Sequence, residues 1–230
     1  MGQPNDEQQQ KKFGENIRIA RENSKVSVRE LARRVGVSAS HISQVERGLA
    51  SFSVPALYTV TSELGISMDS LFEDPTEPQD QVALEQERLA ANGQVSLDEA
   101  GIVQRSGSRP ILTLNSGPTW ERLTARPEVG REFIEVVYAP ASEGASPPND
   151  LVTHSGREFG IITQGSLSVQ VGFSFTVLAE GDSIAFDCTI PHRFWNATGE
   201  TVRAVWFIAE TANSSSSGTD SQPAESLHAF

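Results

Sequence analysis

Between Phe13 and Phe72 the apolar residues recur three and four positions apart. They fall in short blocks: Phe13/Ile17/Ala20, Val28/Leu31/Ala32/Val35, Ile42/Val45, Leu57/Val60/Leu64 and Met68/Leu71/Phe72. That period predicts five short helices, each burying one stripe. The punctuation agrees. Ser27 stands three residues before Glu30, a capping box for the second helix, and Gly36 follows that helix's last apolar residue. Ser38 is placed to cap the third helix, Pro55 to open the fourth and Gly65 to close it.

From Ile102 the period changes to two. Ser166-Leu-Ser-Val-Gln-Val171 alternates strictly, which predicts a strand with one buried face. Ile111–Leu114, Phe133–Tyr138, Phe159–Thr163, Phe173–Leu178, Ser183–Phe186 and Val202–Ile208 read as further strands, separated by Gly165, Gly172, Gly181-Asp182 and Pro191. Many short strands so spaced predict a sandwich or small barrel. The expected organisation is a disordered leader (1–11), a helical domain (12–74), a linker (75–101), an all-β domain (102–210) and a disordered tail (211–230). Within the linker, Val82–Ala90 is weakly amphipathic and too short to stand as a helix in water.

Charge separates the same two modules. The 230-residue chain carries a net charge of −12, which excludes a uniformly basic nucleic-acid coat. Yet from Lys11 to Arg47 nine basic residues face four glutamates, whereas from Pro75 onward nine arginines face twenty acidic residues. A basic window on an acidic remainder suits two modules with different partners. No run of apolar residues is long enough for a membrane span. The polar start, MGQPNDEQQQKK, has no secretory core, and the single Cys188 cannot form an internal disulfide, so a cytoplasmic protein is expected.

The second and third helices, joined at Gly36, form a helix-turn-helix pattern. Ser40, His41, Gln44 and Arg47 are free to face away from Ile42 and Val45, which suits a helix laid in the DNA major groove. Gln44 is able to pair bidentately with adenine, and Ser40 with any base. Periodicity alone leaves an ordinary helical hairpin equally open. Arg29 to Gly48, RELARRVGVSASHISQVERG, followed by Pro55–Phe72, resembles the lambda-repressor-like (XRE-type) helix-turn-helix family. The resemblance implies a five-helix DNA-binding domain in which Arg21 pairs with Glu46. It places base contacts at Ala39, Ser40 and Gln44, and phosphate contacts at Ser27 and Ser38, with Lys25 and Arg47 nearby. The loop Leu49-Ala-Ser-Phe-Ser53 lacks the basic residues many relatives set against the DNA backbone. Fewer phosphate contacts weaken each domain's grip, so binding is expected to require a homodimer on a pseudo-palindromic operator.

In the β domain, His154-Ser-Gly-Arg-Glu158 precedes Gly165, and Gly181-Asp182 precedes Pro191-His192-Arg-Phe-Trp-Asn196. Two imidazoles and a carboxylate suit Fe, Mn, Zn, Ni or Cu rather than Ca or Mg. Inward histidines also serve as hydrogen-bonded core residues, so the residues alone leave both roles open. The frame resembles the cupin superfamily at His154, Glu158, Gly165, Gly181, His192 and Asn196, which implies a jelly roll, or double-stranded β-helix. It also implies a divalent transition metal (Fe, Mn, Zn or Ni) on His154, Glu158 and His192. Val152 stands where the family's first histidine belongs, leaving three ligands or an empty site. The pocket is expected to be lined by Tyr138, Phe159, Phe186, Phe194 and Trp206, with Arg157 a further polar candidate.

Chains pairing these two domains are mostly bacterial regulators. The resemblance therefore implies a non-enzymatic transcriptional regulator that reads double-stranded DNA and binds a small-molecule effector in its cupin. The alternative is a mononuclear non-haem iron oxygenase of the epoxidase type, which also joins a helix-turn-helix to a cupin and shares the His-x-x-x-Glu spacing. Against it, Thr119–Thr124 carries no tyrosine pair such as that enzyme type sets beside its iron.

Overall fold

The computed structural model describes residues 4–72, 96–114, 117–128 and 130–209. Four α-helices come first: α1 (Pro4–Asn23), α2 (Val28–Val35), α3 (Ala39–Glu46) and α4 (Val54–Leu64). The fifth expected helix is a single 3₁₀ turn, Asp69–Phe72. Its three apolar residues are too few for more than one turn, and Leu71 alone of the turn's apolar side chains is fully buried. At the other end, α1 starts at Pro4 and so takes in most of the segment for which polar composition predicts disorder. The tail from 211 and linker residues 75–95, Val82–Ala90 among them, lie outside the described residues.

Capping explains the helix boundaries. The hydroxyls of Ser27 and Ser38 accept from the backbone N–H of Glu30 and His41, each three residues on. Gly36 takes a left-handed φ of 77° and returns its N–H to Ala32, ending α2 so that α3 can turn across it. The helices close over Phe13, Ile17, Leu31, Ile42, Val45, Phe52, Leu57 and Val60. Gly14 lets α1 lie directly on the end of α3: a Cβ there would collide with the Val45 carbonyl oxygen.

Among the described residues nine strands follow: β1 (Ile111–Thr113), β2 (Thr119–Arg122), β3 (Arg131–Tyr138), β4 (Arg157–Gln164), β5 (Ser166–Val171), β6 (Ser174–Ala179), β7 (Ser183–Asp187), β8 (His192–Trp195) and β9 (Val202–Ala209). They make two antiparallel sheets, β1-β2-β3-β9-β4-β7 and β6-β5-β8, around Leu112, Trp120, Ile134, Ile162, Leu167, Val169 and Trp206. β5 differs from expectation, because Ser168 and Gln170 are buried as well as its apolar face. The second face is covered from β8, where the Arg193 guanidinium donates to Gln170 Oε1 at 2.7 Å.

The helical and β portions share one apolar core. α1 packs on β1, and Tyr58 of α4 meets Trp120 of β2 with ring centroids 6.1 Å apart. Arg122 reaches back across the seam, stacking over Phe72 at 5.8 Å and donating to the Asp69 carbonyl. The buried Asp69 carboxylate accepts from the Glu128 N–H at 2.8 Å.

Candidate functional site

Strand alternation decides what faces the interior of the β domain. On β4, Glu158, Gly160 and Ile162 point inward, so Arg157, Phe159 and Ile161 must point out. Gly160 faces the Trp206 ring so closely that a Cβ would overlap it, and the indole forms the cavity floor. β8 contributes His192 from beneath. The third member, His154, lies on the loop entering β4, where its N–H donates to the Cys188 carbonyl at 3.1 Å.

The donor atoms of His154, Glu158 and His192 lie within 4.8 Å of one another. His154 Nδ1 faces the Ser155 carbonyl at 3.0 Å and His192 Nδ1 the Ile190 carbonyl at 2.9 Å. A carbonyl only accepts, so each Nδ1 carries the proton and each Nε2 offers its lone pair to the centre. Such backbone partners are what orients metal-binding imidazoles. Burial lowers both histidines, His154 to about 4, so both are neutral ligands at pH 7. Burial pushes Glu158 up to about 8, by removing water from its carboxylate. Among the described residues its Oε2, 3.5 Å from His192 Nε2, has no hydrogen-bond partner, nor has His154 Nε2. Two orphaned buried acceptors and a neutral imidazole fit a divalent transition metal, whose charge would satisfy all three.

A cavity of about 620 Å³ opens beside the trio. Tyr138, Phe194 and Trp206 line it, together with Trp120, Ile134, Val136 and Val152. Two expected lining residues are elsewhere. Phe159 is on the outer face, 41% exposed beneath the Arg157 guanidinium, because it adjoins the inward Glu158 on the same strand. Phe186 is buried but packs edge-on behind His192, at 4.8 Å between centroids. Asn196 holds the loops rather than a ligand: its amide donates to the carbonyls of Ala139 and Glu200, and its Oδ1 accepts from Thr198 N–H. Periodicity gave no signal for Ser53, Val54, Pro55 and Tyr58, which line the cavity from α4.

In the helical domain, α3 buries Ile42 and Val45 and leaves Ser40, Gln44 and Arg47 exposed. Ser27 and Ser38 are exposed at the N-termini of α2 and α3, and Ala39 is half-buried. His41 is turned inward, edge-on to the buried Phe52 at 5.6 Å, which leaves it less available than its neighbours. Arg21 fixes the far end of α3 by a two-pronged pairing with Glu46, at 2.6 and 3.1 Å, and also donates to the Val26 carbonyl. Arg33 and Arg34 pair with Glu30, and Arg34 also with Glu63.

Two family models match these two regions: helix-turn-helix over residues 17–71 and cupin domain over residues 136–208. The chain thus carries a helix-turn-helix region and a cupin domain. It is 21% identical over 193 residues to the HTH-type transcriptional regulator PuuR of Escherichia coli, covering 84% of this chain and 91% of that one. Over 59 residues it is 44% identical to an uncharacterized HTH-type transcriptional regulator of Mycobacterium tuberculosis, covering 26% of this chain and 42% of the other. The crystal structure of an HTH_3 family transcriptional regulator from Vibrio cholerae aligns with a TM-score of 0.59 at 18% identity, covering 90% of this chain and 99% of that one. The helix-turn-helix and cupin portions thus occur together in one fold. No helix among the described residues is long and apolar enough to cross a membrane.

Proposed function

We propose that this protein is a sequence-specific, DNA-binding transcriptional regulator of the cytoplasm whose cupin domain binds a metal and a small-molecule effector. The observation that carries the reading is α3: Ser40 and Gln44 are exposed on a helix held rigid from behind by Ile42, Val45 and the Arg21–Glu46 pair. A polar, solvent-facing helix on a fixed mount is what base reading requires. Ala39, Ser40 and Gln44 read bases. The exposed Ser27 and Ser38, each at a helix N-terminus, receive phosphates with Lys25 and Arg47. PuuR, similar along most of the chain, is itself a transcriptional regulator.

His154, Glu158 and His192 would hold the metal, which would supply Lewis acidity at one end of the cavity. The effector is a compact molecule of mainly apolar surface, matched to Tyr138, Trp120, Phe194 and Trp206. Homodimerisation brings two α3 helices to half-sites about 34 Å apart. A stripe across the outer sheet face suits that contact: Phe133, Phe207 and Phe159 stand in register on β3, β9 and β4, and with Ile161 they are 37–44% exposed. Phe207→Glu should convert dimer to monomer in sedimentation experiments and weaken operator binding with it.

The deciding experiment is selection of genomic fragments by the purified protein, followed by footprinting. Wild type should protect a pseudo-palindrome, and Gln44→Ala should lose sequence preference while keeping non-specific binding. Equal binding to all duplexes at low salt would defeat the reading. A non-haem iron oxygenase remains the second reading, because three protein ligands leave coordination positions open. Ferrous-iron-dependent oxygen uptake that His192→Ala abolishes would put it first.

A further inference from the structure

The three donors of the cupin site are not held alike. Glu158 and His192 stand on strands β4 and β8 and are 5% and 3% exposed. His154 stands on a loop, and its ring lies flat against a residue of the other domain. The Tyr58 ring stacks on it with centroids 4.2 Å apart and planes 2° from parallel. His192 also meets it edge-on at 5.3 Å. A stack covers the face of an imidazole and leaves the in-plane Nε2 lone pair uncovered, so Tyr58 constrains the ring without competing for its ligand atom.

Tyr58 is also part of the cavity wall, as are Ser53, Val54 and Pro55 at the start of α4. An occupant that fills the cavity would therefore touch the helix-turn-helix domain as well as the cupin. The same segment leads back to the reading helix. Phe52, fully buried one residue before the α4 cap Ser53, is the ring against which His41 of α3 packs. A continuous series of packed groups runs from α3 through Phe52 and α4 to Tyr58 and His154.

We propose that Tyr58 is a positioning residue for His154, so that metal binding at the cupin trio and docking of α4 against the cupin are one linked equilibrium. This rests on the metal-centre reading above and adds to it the route by which the site acts on the DNA-reading domain. The sign follows from the ring. A metal ion on Nε2 draws electron density out of the imidazole, and an electron-poor ring is held more strongly against a tyrosine face. Metal therefore tightens the seat of α4, and by reciprocity a seated α4 tightens the metal.

The test uses the full-length protein and Zn(II) as probe, with affinity read by competition against a chromogenic chelator and amide exchange followed from Leu57 to Leu64. Wild type should bind Zn(II), and saturating Zn(II) should slow exchange in α4 severalfold. Tyr58→Phe, which keeps the ring, should match it. Tyr58→Ala should bind about tenfold more weakly, the lower end of what outer partners of metal ligands command, and its α4 exchange should no longer respond. His192→Ala should lose both uptake and response while the stack persists. If Tyr58→Ala does not fold, the wild-type and His192→Ala exchange data decide alone. Zn(II) binding to wild type with α4 exchange unchanged, or undiminished affinity in folded Tyr58→Ala, overturns the linkage and leaves the metal centre standing. No Zn(II) uptake by wild type overturns both.

Discussion

On α3, Ser40 and Gln44 stand in solvent, whereas in the cupin domain Glu158 and His192 are almost wholly enclosed, 3.5 Å apart. The exposed pair costs the fold nothing, since water satisfies it. The enclosed pair is maintained against its own desolvation, and burial drives Glu158 towards its protonated form. Changes on the reading helix should therefore alter recognition at constant stability. Changes in the trio should trade the two against each other, because a group kept for binding is a burden on the empty fold.

The sharpest break is Glu158→Gln. Zinc affinity should fall by at least about a thousandfold, beyond the roughly ten- to hundredfold assigned to outer partners. The metal-free protein should melt no lower at pH 8 and should melt higher if the carboxylate is the burden described. A large fall in both would show Glu158 to be an ordinary core residue. Next is Arg21→Met, which strands the buried Glu46 carboxylate; loss of one member of such a pair costs about 3 kcal/mol, readable by urea titration. This residue tests the helical domain's one resemblance to the cupin site, a charge that depends on its partner. Gln44→Ala should leave the melting temperature alone and remove about 1–3 kcal/mol of discrimination at one adenine, measured by competition with single-base operator variants.

Protons separate the two regions again. Glu158 releases its proton near pH 8 in the folded, metal-free protein. Zinc affinity should therefore rise about tenfold per pH unit up to that point, with one proton released per ion in weakly buffered solution. The sign for folding is opposite. With its pKa raised, Glu158 stabilises the metal-free fold below the ordinary carboxylate range, and that contribution is lost as pH climbs to about 8. His154, lowered to about 4, removes stability as pH falls from about 6.5 towards that value. Melting of the metal-free protein should be highest at mildly acidic pH, and zinc should flatten its alkaline side. The smallest expected effect is Ser38→Ala, about 1 kcal/mol from one lost cap, visible as a modest drop in melting temperature.

The helices were legible because their signals are local: a stripe of apolar residues, a serine before, a glycine after. His154 stands on a loop rather than a strand, and that His154, Glu158 and His192 would lie close together was legible only with the cupin resemblance added to their spacing. Phe159 was not, although the means were at hand. Glu158 and Phe159 are adjacent on one strand, and strict alternation forbids both from facing inward. Phe186 passed the alternation test and still missed the cavity, because depth behind His192 is set by how the sheets close. Tyr58 left no trace in periodicity, since α4 buries Leu57 and Val60 as any helix of this domain would. Its partner lies 96 positions along the chain, and only the seam between domains brings the two together.

That seam limits how freely such a protein is rebuilt. A head that merely hung from a tether would accept any sensor grafted beneath it. Here Arg122 grips the end of the helical domain at Phe72 and Asp69, and Tyr58 lies on a histidine of the cupin domain. A chimera joined at residue 72 would inherit α3 while its new β domain lacked the partner that α4 meets here. To behave as a switch it would have to carry Arg122 and the His154 loop along with the barrel.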